Sequence, residues 1–118
     1  MAGAMAGGAG LTATILHNPR CSKSRAALAL LLEAGAEVRV VHYLTEPPAR
    51  DELARLFARA GLDARQGLRA DAPASARGSE AAALDAMAVN PTLIERPLVE
   101  TGKGVVLARP PERVRDLL

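Results

Sequence analysis

The segment HNPRCSKSR, His17 to Arg25, gathers the chemistry-bearing residues of this chain around its only cysteine. Arg20, Lys23 and Arg25 flank Cys21, and His17 is a fourth group able to carry positive charge. The thiolate is the nucleophilic form of cysteine, and its pKa falls beside cations and at helix N-termini. Both conditions are expected here, because a strand ends before Pro19 and a helix opens just after Cys21. Backbone N–H groups at such a helix start favour a charged sulfur and also a bound anion. Ser24 and Arg25, three and four residues on, share the helical face of Cys21. Cations near a helix N-terminus oppose the macrodipole by about 0.3–1 kcal/mol each. The second expected helix obeys that rule with Asp51 and Glu52 in its first turn, and the first helix breaks it. Departures of this kind are expected at functional sites. The chemistry indicated is an oxyanion held by positive charge for attack by a thiolate.

The spacing excludes two familiar thiol motifs. A CX5R phosphate loop needs arginine six positions after the cysteine, where this chain has Ala27. A CXXC redox pair needs a second cysteine at the position of Ser24. Any redox chemistry is therefore monothiol, with the resolving thiol supplied by another molecule. One cysteine also rules out an internal disulfide and leaves too few thiols for the usual structural zinc sites, so no metal is expected. A reducing, cytoplasmic setting fits a free thiol. Net charge is only +2 and the arginines are dispersed, which argues against a nucleic-acid or polybasic membrane partner. With one Phe, one Tyr and no Trp, the chain also lacks stacking platforms for single strands. No apolar run approaches the roughly 20 residues of a membrane span. The opening MAGAMAGGAGLTA has no basic n-region and no long apolar stretch, so it does not read as a signal peptide.

The 118 residues suit one domain, with a core built from Leu, Val, Ile and Ala. TATILHN reads as a short buried strand stopped by Asn18-Pro19. SKSRAALALLLEAG reads as a helix with Leu28, Leu31 and Leu32 at i, i+3 and i+4, and with Gly35 suited to the left-handed position past its end. EVRVVHYL is a second strand. EPPARDELARLFARAG is a second helix with an apolar stripe of Leu53, Leu56, Phe57 and Ala60, closed by Gly61. An Ala-rich middle ends in a short helix beginning near Ser79. RPLVETGKGVVLARP reads as a hairpin in which Leu98 and Val99 oppose Val105, Val106 and Leu107. PPERVRDLL opens a last helix with Pro in its first turn. A β-α-β unit with antiparallel strands added later predicts a mixed sheet.

Taken together, HNPRCSKSR, Arg69 in GLRAD, IERPLV and LARPPE resemble the glutaredoxin-coupled arsenate reductase family. YLTEPPARDEL also resembles that family's link between second strand and second helix, and the resemblance runs from about Thr14 to the C-terminus. It implies an α/β, thioredoxin-like fold: a mixed β-sheet flanked by helices, with a helical insertion at about 50–92. The domain would span 13–118, after a flexible tail at 1–12. The resemblance implies that Cys21 attacks arsenate while Arg69, Arg96 and Arg109 hold the oxyanion. It implies that His17 and Ser24 assist the thiolate and that Arg25 and Pro97 support the loop, with the Arg96–Pro97 bond cis. Glutathione would be the co-substrate and glutaredoxin the partner, with no bound cofactor. The chain would act as a cytoplasmic monomer in arsenic detoxification.

Each arginine also has a plainer reading, Arg69 as an exposed loop residue and Arg96 and Arg109 as surface strand ends before proline. His17 also reads as a satisfied strand-end histidine. Two other functions share the fold. One is a glutathione-dependent thiol oxidoreductase acting on another substrate. The other is an RNA-polymerase-binding regulator, against which Ser24 in place of a second cysteine argues.

Overall fold

A computed structural model describes residues 10–118, so residues 1–9 of the expected tail lie outside the described residues. The described chain divides into two compact units, one of residues up to His42 together with Arg96–Leu118, the other Tyr43–Glu95.

The first unit is built on four strands: β1 (Thr12–Leu16), β2 (Glu37–Val41), β3 (Leu98–Thr101) and β4 (Gly104–Leu107). They lie in the order β2-β1-β3-β4. β1 runs parallel to β2, and β3 is antiparallel to both β1 and β4. A parallel pair needs a crossover, supplied here by α1 (Ser22–Glu33). This mixed sheet with its flanking helices is the expected thioredoxin-like fold.

Side chains alternate along a strand, so register decides the core. Ile15 is paired with Val99 and Val99 with Val106, which stacks three branched residues across three strands on one face. Ala13, Ile15 and Val99 meet Ala27 and Leu31 of α1, together with Val114 and Leu117. The last two belong to a 3₁₀ helix, Pro111–Leu117, where an α-helix would be the usual form for an apolar-striped terminus. Three residues per turn eclipse Val114 and Leu117, which aims both into the core. Thr101 Oγ1 donates to the Leu117 carbonyl at 3.0 Å and ties this segment to the hairpin.

The expected apolar stripe of α1 is shifted. Leu31 is fully buried and Leu28 half-buried, but Leu32 is 58% exposed. The buried line is Ser24, Ala27 and Leu31, and it is the first of these that matters for the site. Gly35, at φ 80, ends the helix as expected. The N–H groups of Gly35 and Ala36 donate to the carbonyls of Leu32 and Leu31, the paired bonds of a left-handed helix stop. β2 stops at Val41, short of the expected strand, with His42 exposed and Tyr43 buried.

The second unit is helical: α2 (Arg50–Ala60), α3 (Glu80–Val89) and three 3₁₀ turns at Ala64–Gly67, Ala74–Arg77 and Pro91–Leu93. Leu53, Leu56 and Phe57 form the buried face of α2, and Gly61 closes it at φ 70. Ser79 caps α3, its Oγ accepting from the Ala82 N–H at 3.0 Å. Asp63 and Gln66 make a capping box around the first 3₁₀ turn, which delivers Gly67 onto Phe57. A Cβ at Gly67 would lie 2.2 Å from two carbons of that ring.

Phe57 is itself buried, so the ring cannot swing away. Gly67→Ala is therefore expected to lower stability by about 1–3 kcal/mol, the usual cost of overpacking. Denaturant unfolding should show a reduced midpoint with an unchanged slope, and adding Phe57→Leu should recover part of the loss.

Candidate active site

Strand alternation continues past the end of β1. His17 still donates its N–H to the Val41 carbonyl at 2.9 Å, and its side chain shares the face of Ala13 and Ile15. That face is covered by α1, whose buried line begins at Ser24. The two meet: His17 Nδ1 and Ser24 Oγ are 2.6 Å apart and buried. Ser24 Oγ also accepts from the Asn18 N–H at 3.1 Å. The start of α1 is thus fastened to the end of β1 by one hydroxyl. Burial lowers the His17 pKa, and the nearby His42 and Arg25 lower it further, which favours the neutral ring.

Between these anchors runs the turn that carries the sulfur. The Cys21 N–H donates to the Asn18 carbonyl at 3.0 Å, with Pro19 at the position that favours its fixed φ. Asn18 Oδ1 accepts from the Arg20 N–H at 3.0 Å. Arg25 reaches back from α1 and donates Nη1 to the Pro19 carbonyl at 2.8 Å. Cys21 takes the N-cap position of α1 in extended conformation, where serine or aspartate would usually sit. No cap hydrogen bond is closed by the sulfur. Burial raises the Cys21 pKa, but this is outweighed by the Ser24 and Lys23 N–H groups and by the charge and N–H of Arg96. The net shift is downward, toward thiolate. Ser24 acts on the sulfur through its backbone, while its hydroxyl is taken up by His17 and Asn18.

Register explains why Arg96 arrives here. Leu98 pairs with Leu16 on one side and with Leu107 on the other. One step further, the Ala108 N–H donates to the Pro97 carbonyl at 2.9 Å. The next step sets Arg96 opposite Arg109, whose Nη1 donates to the Arg96 carbonyl at 2.9 Å. Continuing the β1–β3 register in the same direction brings Arg96 alongside Asn18, in the turn that carries Cys21. The Arg96–Pro97 bond is cis, and so is Arg109–Pro110; Pro97 is fully buried. Seven of the candidate residues, His17, Cys21, Ser24, Arg25, Arg96, Pro97 and Arg109, therefore belong to the first unit and its strand ends.

Arg69 lies in the second unit. It follows Leu68, which bridges to Ile94, and its N–H donates to the Leu93 carbonyl at 2.9 Å. Its Nε approaches Asp71 Oδ1 at 3.7 Å. Asn18 has a larger part in the site than its sequence neighbours suggested, since it makes three of the bonds that shape the turn. Its signal was the Asn-Pro pair, a turn former.

Three outcomes are expected. Because Cys21 is the only cysteine, alkylation reads its ionisation directly. A depressed pKa keeps the thiolate populated as pH falls, so the half-maximal rate should lie below the reference of about 8.5. Arg96→Ala should move that midpoint upward. Ser24→Ala strands the Asn18 N–H and the His17 ring, and should cost about 1–3 kcal/mol in denaturant unfolding.

A model of the ArsC family matches residues 16–117. An arsenate reductase of Rhizobium meliloti is 44% identical over 115 residues, covering 92% of this chain and 82% of that protein. An arsenate reductase of Escherichia coli is 38% identical over 112 residues, covering 89% and 79%. Among solved structures, an arsenate reductase from Vibrio cholerae superimposes with a TM-score of 0.84 at 38% identity, covering 92% of this chain and 98% of that one.

Proposed function

The chain belongs to the ArsC family, and from that premise we propose that it reduces arsenate to arsenite at Cys21, with glutathione and glutaredoxin as reductants. The observation that carries this reading is a half-buried sulfur at a helix N-cap whose charged form is favoured by the Ser24 and Lys23 N–H groups and by Arg96.

Arsenate is anionic near neutrality, and a guanidinium matches its oxygens two at a time. Arg96 and Arg109, opposite each other at the end of the hairpin, are suited to hold it, and the family resemblance adds Arg69. The Cys21 thiolate bonds to arsenic and an oxygen leaves as water. The arginines stabilise the charge displaced in that step. Glutathione adds to the same arsenic through its thiol, and a second water leaves. A glutaredoxin thiolate then attacks the glutathione sulfur, forming a mixed disulfide. The pair of electrons from the broken sulfur–arsenic bond reduces arsenic from the pentavalent to the trivalent state. Water replaces Cys21 on arsenic, arsenite leaves, and the thiol returns to its starting state. The cycle calls on no bound cofactor or metal, and a cytoplasmic monomer suffices for it.

The test couples purified protein to arsenate, glutathione, glutaredoxin, glutathione reductase and NADPH, and follows NADPH loss. Arsenate-dependent turnover is expected, and Cys21→Ser should abolish it. Arg96→Ala should lower kcat by about 10²–10³, the usual cost of one preorganised donor. No arsenate-dependent turnover, with Cys21 still glutathionylated, would transfer the assignment to a thiol oxidoreductase of the same fold.

A further inference from the structure

Arg77 ends the 3₁₀ turn Ala74–Arg77 on the surface of the second unit, and nothing in the proposed cycle uses it. Its Nη2 donates to two successive carbonyls, Arg69 at 2.6 Å and Ala70 at 3.1 Å. The Arg69 carbonyl also accepts from the Ala72 N–H at 3.0 Å, and the Arg69 N–H is held by the Leu93 carbonyl. The backbone on both sides of the Arg69 Cα is thus anchored, by the Pro91–Leu93 turn before it and by Arg77 after it. Between the buried Leu68 and Ala72, the exposed Ala70 and Asp71 add no apolar grip. The Arg69 side chain is engaged only loosely, its Nε lying 3.7 Å from Asp71 Oδ1, beyond hydrogen-bond range. Its two terminal nitrogens therefore remain available to an oxyanion, and where they point is decided by how firmly the backbone is held.

We propose that Arg77 is a positioning residue for Arg69, an assignment that rests on Arg69 holding the oxyanion in the proposed reaction. By clamping two consecutive carbonyls, Arg77 limits rotation of the peptides that follow Arg69. The guanidinium is presented in one orientation rather than many. Orientation of this kind lowers the entropic cost of forming the reactive complex. A charge-assisted donor suits the task, because the single Nη2, held in a rigid guanidinium plane, reaches both carbonyl oxygens.

The experiment is a double-mutant cycle on the full chain with the coupled arsenate assay. Arg77→Ala should lower kcat/KM for arsenate about three- to tenfold, mainly through KM, as loss of a modest hydrogen-bonding contribution implies. In an Arg69→Ala background the same substitution should have no further effect on kcat/KM. Arg77→Lys, which keeps a donor near the carbonyls, should recover part of the loss and also serves if the alanine variant folds poorly. The pH profile of Cys21 alkylation should be unchanged throughout. An Arg77→Ala protein with unaltered kcat/KM, or one whose loss is equally large without Arg69, overturns the assignment. An Arg69→Ala protein with full activity instead overturns the oxyanion role of Arg69, and the positioning role falls with it.

Discussion

A half-buried sulfur becomes charged only when something nearby offsets the hydration it gives up. At Cys21 the offset comes from two backbone N–H groups of α1 and one guanidinium. The N–H groups come with the helix, since the first turn of any α-helix leaves its donors unused. The guanidinium does not, because Arg96 is far away in sequence and must be delivered by the sheet. Every other feature of the first unit can be understood as keeping those donors and that sulfur in register.

Two constraints achieve this. Period-two alternation puts His17 on the α1 side of the sheet, where it meets the first buried residue of the helix, Ser24. A helix fastened at its first turn cannot slide along the sheet without stranding the Asn18 N–H and the His17 ring. The second constraint is the hairpin. With Thr101 paired to Gly104 and Leu98 to Leu107, the same register carries Arg96 and Arg109 to one end. Shifting it by one residue would turn Val99 and Val106 out of the core and displace both arginines together. Core packing and site assembly are thereby set by one alignment of strands.

The second unit solves a simpler problem. Gly67 lets the backbone lie against the Phe57 ring, and the bridge from Leu68 to Ile94 follows at once. Arg69 therefore emerges from a segment fixed by packing before it and by hydrogen bonds after it. The Ala-rich stretch beyond opens on a 3₁₀ turn with no side-chain cap, Ala74–Arg77, before α3 starts at the Ser79 cap.

Local chemistry was legible in the residues alone. The lone cysteine, the reversed charge at the start of α1, the glycine stops at Gly35 and Gly61, the Ser79 cap and the hairpin around Gly102 all act over a few neighbouring residues. Short-range sterics and hydrogen bonding settle such features wherever the segment sits. Other features depended on distant partners. Periodicity placed Leu32 with the core, but only the packed sheet showed that the buried line runs through Ser24, Ala27 and Leu31. Likewise β2 ends at Val41, because β1 offers it no strand partner beyond Leu16. Sequence by itself determined that the lone cysteine would sit at a helix start among basic residues. Only the tertiary structure decided that Arg96 would be the cation acting on it, because pairing between β1 and β3 joins segments some eighty positions apart and no local preference encodes that register.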